Sequence, residues 1–293
     1  DPRQIDVLLL THAHLDHCGR IPLLVKQGFR GEIICTAATR DLARLIMLDS
    51  AHLHEEEAKR RWRHGNHSKG SEPLYDTMDA FDAMDRFGRN ATYDKPIHLG
   101  RHVTATFVDA GHILGSASIL LELEEDGHKR RVLFSGDLGP DERPLLSDNQ
   151  APSNVDIVVM ETTYGDRDHR PLQASVDEFY DAIRDAQERG GNIIIPTFAL
   201  ERAQELLFYL REGMERKEIP DTLHVFLDSP MAISAGWTCV AWTQRAWISA
   251  MATSAAPTSA ASISRNREWK VPASPAPRFP AAISRTAWKP MKS

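Results

Sequence analysis

His12-Ala13-His14-Leu15-Asp16-His17 places four metal-ligand side chains within six residues. Imidazole and carboxylate are ligands that zinc favours, and a zinc site needs three or four of them converging on one point. The run just before it, Ile5-Asp6-Val7-Leu8-Leu9-Leu10, is apolar enough to read as a buried strand over 5–10, with a helix expected over 19–27. The ligand run therefore falls at the carboxyl end of a strand, where α/β proteins usually build their sites. Four such groups are too many for one tetrahedral ion, so two metals sharing ligands is the economical reading. Cys18 follows directly and reads as a small buried filler rather than a further ligand, because its neighbours already suffice.

Outward from this run, the pattern predicts a strand at 31–35, a helix at 39–62 and another at 76–87. The charged stretch Glu55 to Arg61 reads as the solvated face of the first helix, with i,i+4 pairs such as Glu56–Arg60. His52, His54, His64 and His67 read as surface or solvated histidines, since nothing nearby completes a ligand shell. Strands are expected at 102–108, 117–123, 131–135 and 155–160, with Asp126-Gly127 as a hairpin turn. From 175 onward a helix (175–189), a strand (192–196), a helix (199–217) and a strand (223–227) repeat the βα rhythm of a parallel sheet.

Several further segments resemble, in order, the motifs of one family. His12 to His17 has the HxHxDH form that marks the metallo-β-lactamase superfamily. Gly111-His112-Ile113-Leu114-Gly115-Ser116-Ala117 resembles the segment that supplies the next metal histidine, and Leu133-Phe134-Ser135-Gly136-Asp137 the strand end whose aspartate bridges two ions. Glu161-Thr162-Thr163-Tyr164-Gly165-Asp166 is similar to motif A of the β-CASP branch, the nucleases that process RNA or DNA. Pro196 to Leu206 and Asp228-Ser229-Pro230-Met231-Ala232 are similar to stretches inside the β-CASP domain. The branch includes the bacterial relatives of the cleavage and polyadenylation endonuclease.

The resemblance implies an α/β fold: a metallo-β-lactamase αββα sandwich, incomplete at the N-terminus, joined to a partial α/β β-CASP domain. Residues 1–165 would form the first, lacking the early hairpin with its DxG motif, and 166–235 would begin the second. It implies two zinc ions, the first held by His12, His14 and His112, the second by Asp16 and His17, with Asp137 shared between them. Zinc lowers the pKa of bound water to about 7, so a hydroxide would be available to attack a phosphodiester at neutral pH. Asp16, Asp137 and Glu161 are the acids expected to act in the reaction, and Thr197 and Ser229 are candidate phosphate contacts on loops after strands. The implied partner is single-stranded RNA, with DNA and a homo-oligomer left open.

A small-molecule hydrolase of the same superfamily, such as a thioesterase or lactonase, would share HxHxDH but lack the Glu161 to Tyr164 and Asp228 to Ala232 segments. A third reading is an inactive fragment. The family's motif B and motif C histidines have no counterpart, since residues 236–293 contain no histidine, and His169 and His224 fall in the wrong segments. On that reading the chain would bind one zinc tightly and a second weakly, and would cleave RNA near background.

Residues 236–293 also change character, with no Leu, no Asp, five of the six Trp, and a net charge of +7 against −13 for residues 1–235. The break reads as a shifted reading frame followed by a segment with no stable fold of its own, because its apolar residues form no contiguous face. For the whole chain, 42% hydrophobic and 26% charged residues are globular in composition. Three cysteines without a CxxC pair, no leader and no apolar run of about 20 residues suggest a cytoplasmic protein away from membranes. A net charge of −6 argues against broad non-specific nucleic-acid binding, though not against a local groove.

Overall fold

The computed structural model describes residues 1–64, 72–168, 170–229 and 231–232. After a 3-10 turn at Pro2–Gln4, strand β1 (Val7–Leu9) pairs parallel with β2 (Glu32–Thr36), which pairs parallel with β3 (Phe87–Ala91). A second sheet takes β4 (Pro96–His98), β5 (Val103–Asp109), β6 (Ala117–Glu125), β7 (His128–Phe134) and β8 (Ile157–Val159) in that order. Its pairings are antiparallel until β8, which joins β7 in parallel. Asp126 and Gly127 form the β6–β7 turn with φ of +50° and +74°. Two left-handed residues in a two-residue loop match the strand twist, as Asp-Gly predicts.

Alternation along β2 divides the interior in two. Ile33 and Cys35 face one core, together with Leu42, Ile46 and Met47 of helix α3 (Ala37–Arg63) and with Ala80 and Ala83 of α4 (Thr77–Met84). Ile34, on the opposite face, meets Ala105, Phe107, Ala117 and Ile119 from β5 and β6. A period of two residues is what lets one strand serve both layers. Helices therefore cover one face of the three-stranded sheet and the five-stranded sheet covers the other, as expected of a metallo-β-lactamase fold. Two further helices, α5 (Leu172–Glu188) and α6 (Arg202–Glu215), bury Val176, Tyr180, Ile183 and Leu210 in a core of their own.

Several expectations need correction. The helix expected at 19–27 is present as α2 (Ile21–Lys26), but a further short helix, α1 (Leu15–Cys18), precedes it inside the ligand run, with Gly19 and Arg20 between them. Segments 192–196 and 223–227 are not strands. A strand exists only through a neighbour's backbone groups, and among the described residues neither stretch has one; Ile194 and Phe226 are 90% and 88% exposed. Strand β3 was unforeseen because Phe87-Gly88-Arg89-Asn90-Ala91 has neither alternation nor β-branched residues. The expected unfolded segment 236–293 lies outside the described residues. Among the described residues no helix is long and apolar enough to cross a membrane.

Phe107 is fully buried between the sheets. Phe107→Ala should cost about 3–5 kcal/mol in urea unfolding, whereas Phe226→Ala should change stability by less than about 0.5 kcal/mol. Similar losses from both would contradict this placement of the core.

Candidate metal centre

Three loops at strand ends build the site. The first leaves β1 and carries His12 and His14 before α1 holds Asp16 and His17. The second joins β5 to β6 and carries His112. The third follows β7 and carries Asp137. His12, His14, His112 and Asp137 bring one ligand atom each to within 4.8 Å of one another, and Asp16, His17 and Asp137 do the same. Asp137 belongs to both groups. Its Oδ2 lies 3.6 Å from His12 Nε2 and 3.5 Å from His112 Nε2, while its Oδ1 lies 3.2 Å from His17 Nε2.

The donor set suits a cation. His12 is fully buried, and Thr11 Oγ1 lies 3.1 Å from its Nδ1. With the ring proton on Nδ1, the lone pair is on Nε2, a buried atom with no hydrogen-bond partner. Such an orphan is costly unless something binds it. Burial, with the neighbouring imidazoles His17, His112 and His14 adding to it, lowers the His12 pKa to about 2. Burial and His14 lower that of His112 to about 4. Both rings are thus neutral and able to donate at pH 7. His14 Nδ1 and His112 Nε2 share a hydrogen bond at 2.9 Å, so the two rings meet at the centre. Burial raises the Asp137 carboxyl, with Glu161 and Asp16 adding to that effect, a field that a bound cation would reverse.

Buried hydroxyls hold these loops in place. Ser116 Oγ accepts from the backbone N–H groups of His112 (3.0 Å) and Ile113 (3.2 Å), and Tyr93 donates to Ser116 O at 2.8 Å. Gly115 O accepts from Thr36 Oγ1 at 2.7 Å and Thr39 Oγ1 at 2.8 Å. Gly115 has φ +81°, and a Cβ there would stand 2.7 Å from Thr39 N, so glycine is required. Glu161 Oε1 accepts from the Leu138 N–H at 2.6 Å, directly after Asp137, and the Glu161 N–H donates to Ser135 Oγ at 3.1 Å. Ser116 lies inside the Gly111 to Ala117 segment, where its position alone signals no role. Tyr93, Thr36 and Thr39 carried no signal, because their partners are distant in the chain.

A cleft of about 580 Å³ opens beside the centre, lined by His112, Asp137, Glu161 and Tyr164 together with Arg143, Arg202 and Glu205. Thr197 and Ser229 do not line it. Thr197 is exposed, and Ser229 Oγ accepts from the Ala232 N–H at 3.1 Å. Cys18 is buried, its thiol pushed up to about 12 by burial and donating to Ala13 O at 3.4 Å. His52 and His64 are exposed, and His54 sets its ring edge against Tyr75. His67 and His169 lie outside the described residues.

The metallo-beta-lactamase superfamily model matches residues 1–197. The chain belongs to the metallo-β-lactamase superfamily. Proteins of this superfamily bind metal ions. Ribonuclease TTHA0252 of Thermus thermophilus is 37% identical over 233 residues, 79% of this chain and 48% of that protein. Transcription termination factor FttA of Methanothermobacter thermautotrophicus is 34% identical, covering 76% of this chain and 33% of its own. Cleavage and polyadenylation specificity factor subunit 3 of Dictyostelium discoideum is 32% identical, covering 72% and 26%. The chain thus spans half or less of the length of these relatives. They are β-CASP proteins, which bears out the resemblance read from Glu161 to Asp166 and Asp228 to Ala232.

The histidine shifts fix how the metal-free protein responds to acid. His12 and His112 have folded pKa values below the unfolded value of 6.5, so below that pH the unfolded chain takes up protons that the folded one refuses. Stability should therefore fall as pH drops from 6.5, by roughly 2 kcal/mol per histidine at pH 5. Urea unfolding in chelator at pH 7 and pH 5 measures this, and equal midpoints would contradict the burial of these rings.

Proposed function

We propose that the chain carries the metal centre of a β-CASP nuclease, with two zinc ions as cofactors and RNA phosphodiester bonds as the substrate. The placement of Asp137 carries this reading. One carboxylate oxygen faces His12 and His112 and the other faces His17, an arrangement suited to two cations sharing one ligand. His12, His14 and His112 would hold the first ion, Asp16 and His17 the second. Bound there, the ions would supply Lewis acidity, acidifying water and offsetting charge on a phosphoryl oxygen.

The chain's own residues prepare that chemistry. His12 stays neutral through burial and keeps a lone pair available. Ser116 fixes the backbone at His112. Glu161, through the Leu138 N–H, holds the peptide that follows Asp137, so Asp137 presents its two oxygens in a set direction. The open cleft leaves room for an extended strand. Support for RNA comes from the relatives, one named a ribonuclease and another a cleavage and polyadenylation factor subunit. We assign residues 1–165 to the metallo-β-lactamase domain and 166–235 to the start of the β-CASP domain.

Zinc titrated into the metal-free chain and counted by mass spectrometry should show one tight site and a weaker second one. The second cluster offers three groups, and the Asp16 side chain is 78% exposed. Cleavage of a labelled single-stranded RNA should be slow, sensitive to chelator and lost in Asp137→Asn. Faster turnover of thioesters or lactones than of RNA, or RNA cleavage indifferent to chelation, would overturn this reading.

A further inference from the structure

The buried carboxylates among the described residues are Glu201 and Glu205, 8% and 3% exposed, at the start of α6. Burying two acids together is unfavourable unless cations answer them. Arg143 answers, reaching across from the segment that follows Asp137. Its Nη1 donates to Glu201 Oε1 at 2.6 Å and stands 3.6 Å from Glu205 Oε2. Arg202 Nη1 pairs with Glu205 Oε2 at 2.6 Å. Glu201 also holds φ at +63°, a conformation that costs a non-glycine residue about 1–3 kcal/mol. Strain and buried charge are thus concentrated behind one guanidinium.

That guanidinium lines the same cleft as His112 and Asp137, and its charge is felt at the His112 ring. Its side chain is only 14% exposed, against 69% for Arg170 and 52% for Arg202, which line the cleft too. A guanidinium has five N–H donors. Among the described residues Nη1 alone has an acceptor, which leaves Nε and Nη2 unused. A planar fork held rigid by buried acids is suited to the tetrahedral oxygens of a phosphodiester, and little side-chain entropy is lost on contact.

We propose that Arg143 binds a backbone phosphate of the strand lying in this cleft, beside the metal centre. The inference rests on the RNA-hydrolase reading above and adds to it the residue that places the substrate. Glu201 and Glu205 are then positioning residues that act through Arg143. Burial raises the Glu201 carboxyl and the Arg143 guanidinium beside it opposes that shift, so the two groups hold each other as one buried pair.

The test is binding of a fluorescein-labelled single-stranded oligoribonucleotide to the zinc-loaded full chain, read by anisotropy over a range of salt. Arg143→Ala should bind about tenfold more weakly or worse. Its plot of log affinity against log salt should be shallower by about 0.7, the contribution of one phosphate on a single strand. Arg143→Lys, which keeps the charge but not the fork, should fall between. The double variant Arg143→Met with Glu201→Gln removes the buried pair together, so it should fold, keep its zinc content and still bind weakly. Wild-type affinity and salt slope in the double variant would overturn the role of Arg143 alone. A wild-type chain that holds zinc but no RNA would overturn both this role and the RNA reading.

Discussion

A neutral imidazole sealed in the interior with an unshared lone pair is unstable in isolation, and the strand ends around His12 are organised by that constraint. Among the described residues His12 Nε2 has no hydrogen-bond partner, Asp137 Oδ2 standing 3.6 Å away, so the surroundings must both keep the ring uncharged and leave space where the lone pair points. Burial achieves the first. Three separate loops achieve the second, bringing His14, His112 and Asp137 around that atom from distant parts of the chain, with one ligand atom of each within 4.8 Å of the others. No single helix or strand could present four groups in that way, which is why the centre sits where two sheets end side by side.

The supporting hydrogen bonds are nearly all between side-chain hydroxyls or carboxylates and backbone groups. Ser116, Thr36, Thr39, Ser135 and Glu161 each fix a peptide rather than another side chain. A peptide held in this way orients the residue that bears the ligand, whatever that ligand is bonded to. The cleft wall is built differently, from Arg143, Glu201, Glu205 and Arg202, where opposite charges meet at low exposure. The ligand loops therefore depend on hydrogen bonds to backbone groups and the Arg143 wall on ion pairs, and salt acts mainly on the second.

Local chemistry made much of this legible. The His12 to His17 run, the Asp126-Gly127 turn and the strand segments 102–108 and 117–123 are patterns contained in short windows, and each matches the element found there. The family order of the motifs brought His112 and Asp137 to the same centre from far along the chain. What escaped the sequence depends on distance. Arg143 meets Glu201 across 58 residues, and nothing in Glu142-Arg143-Pro144 marks that pairing. Segments 192–196 and 223–227 have strand composition, yet composition cannot supply the neighbour that makes a strand. Thr197 and Ser229 follow those two segments, and neither lines the cleft.

Gly115 O accepts two hydroxyl hydrogen bonds, and one of its donors, Thr36, is also the N-cap of α3, its Oγ1 accepting from the Thr39 N–H at 3.2 Å. The loop that presents His112 and the first turn of a 27-residue helix are therefore a single cooperative unit. Anything that binds the folded centre and not the unfolded chain lowers the free energy of both together. Occupancy of the centre is in this sense a property of the helix as well, and loss of the metal would be felt as fraying at residues that never touch it.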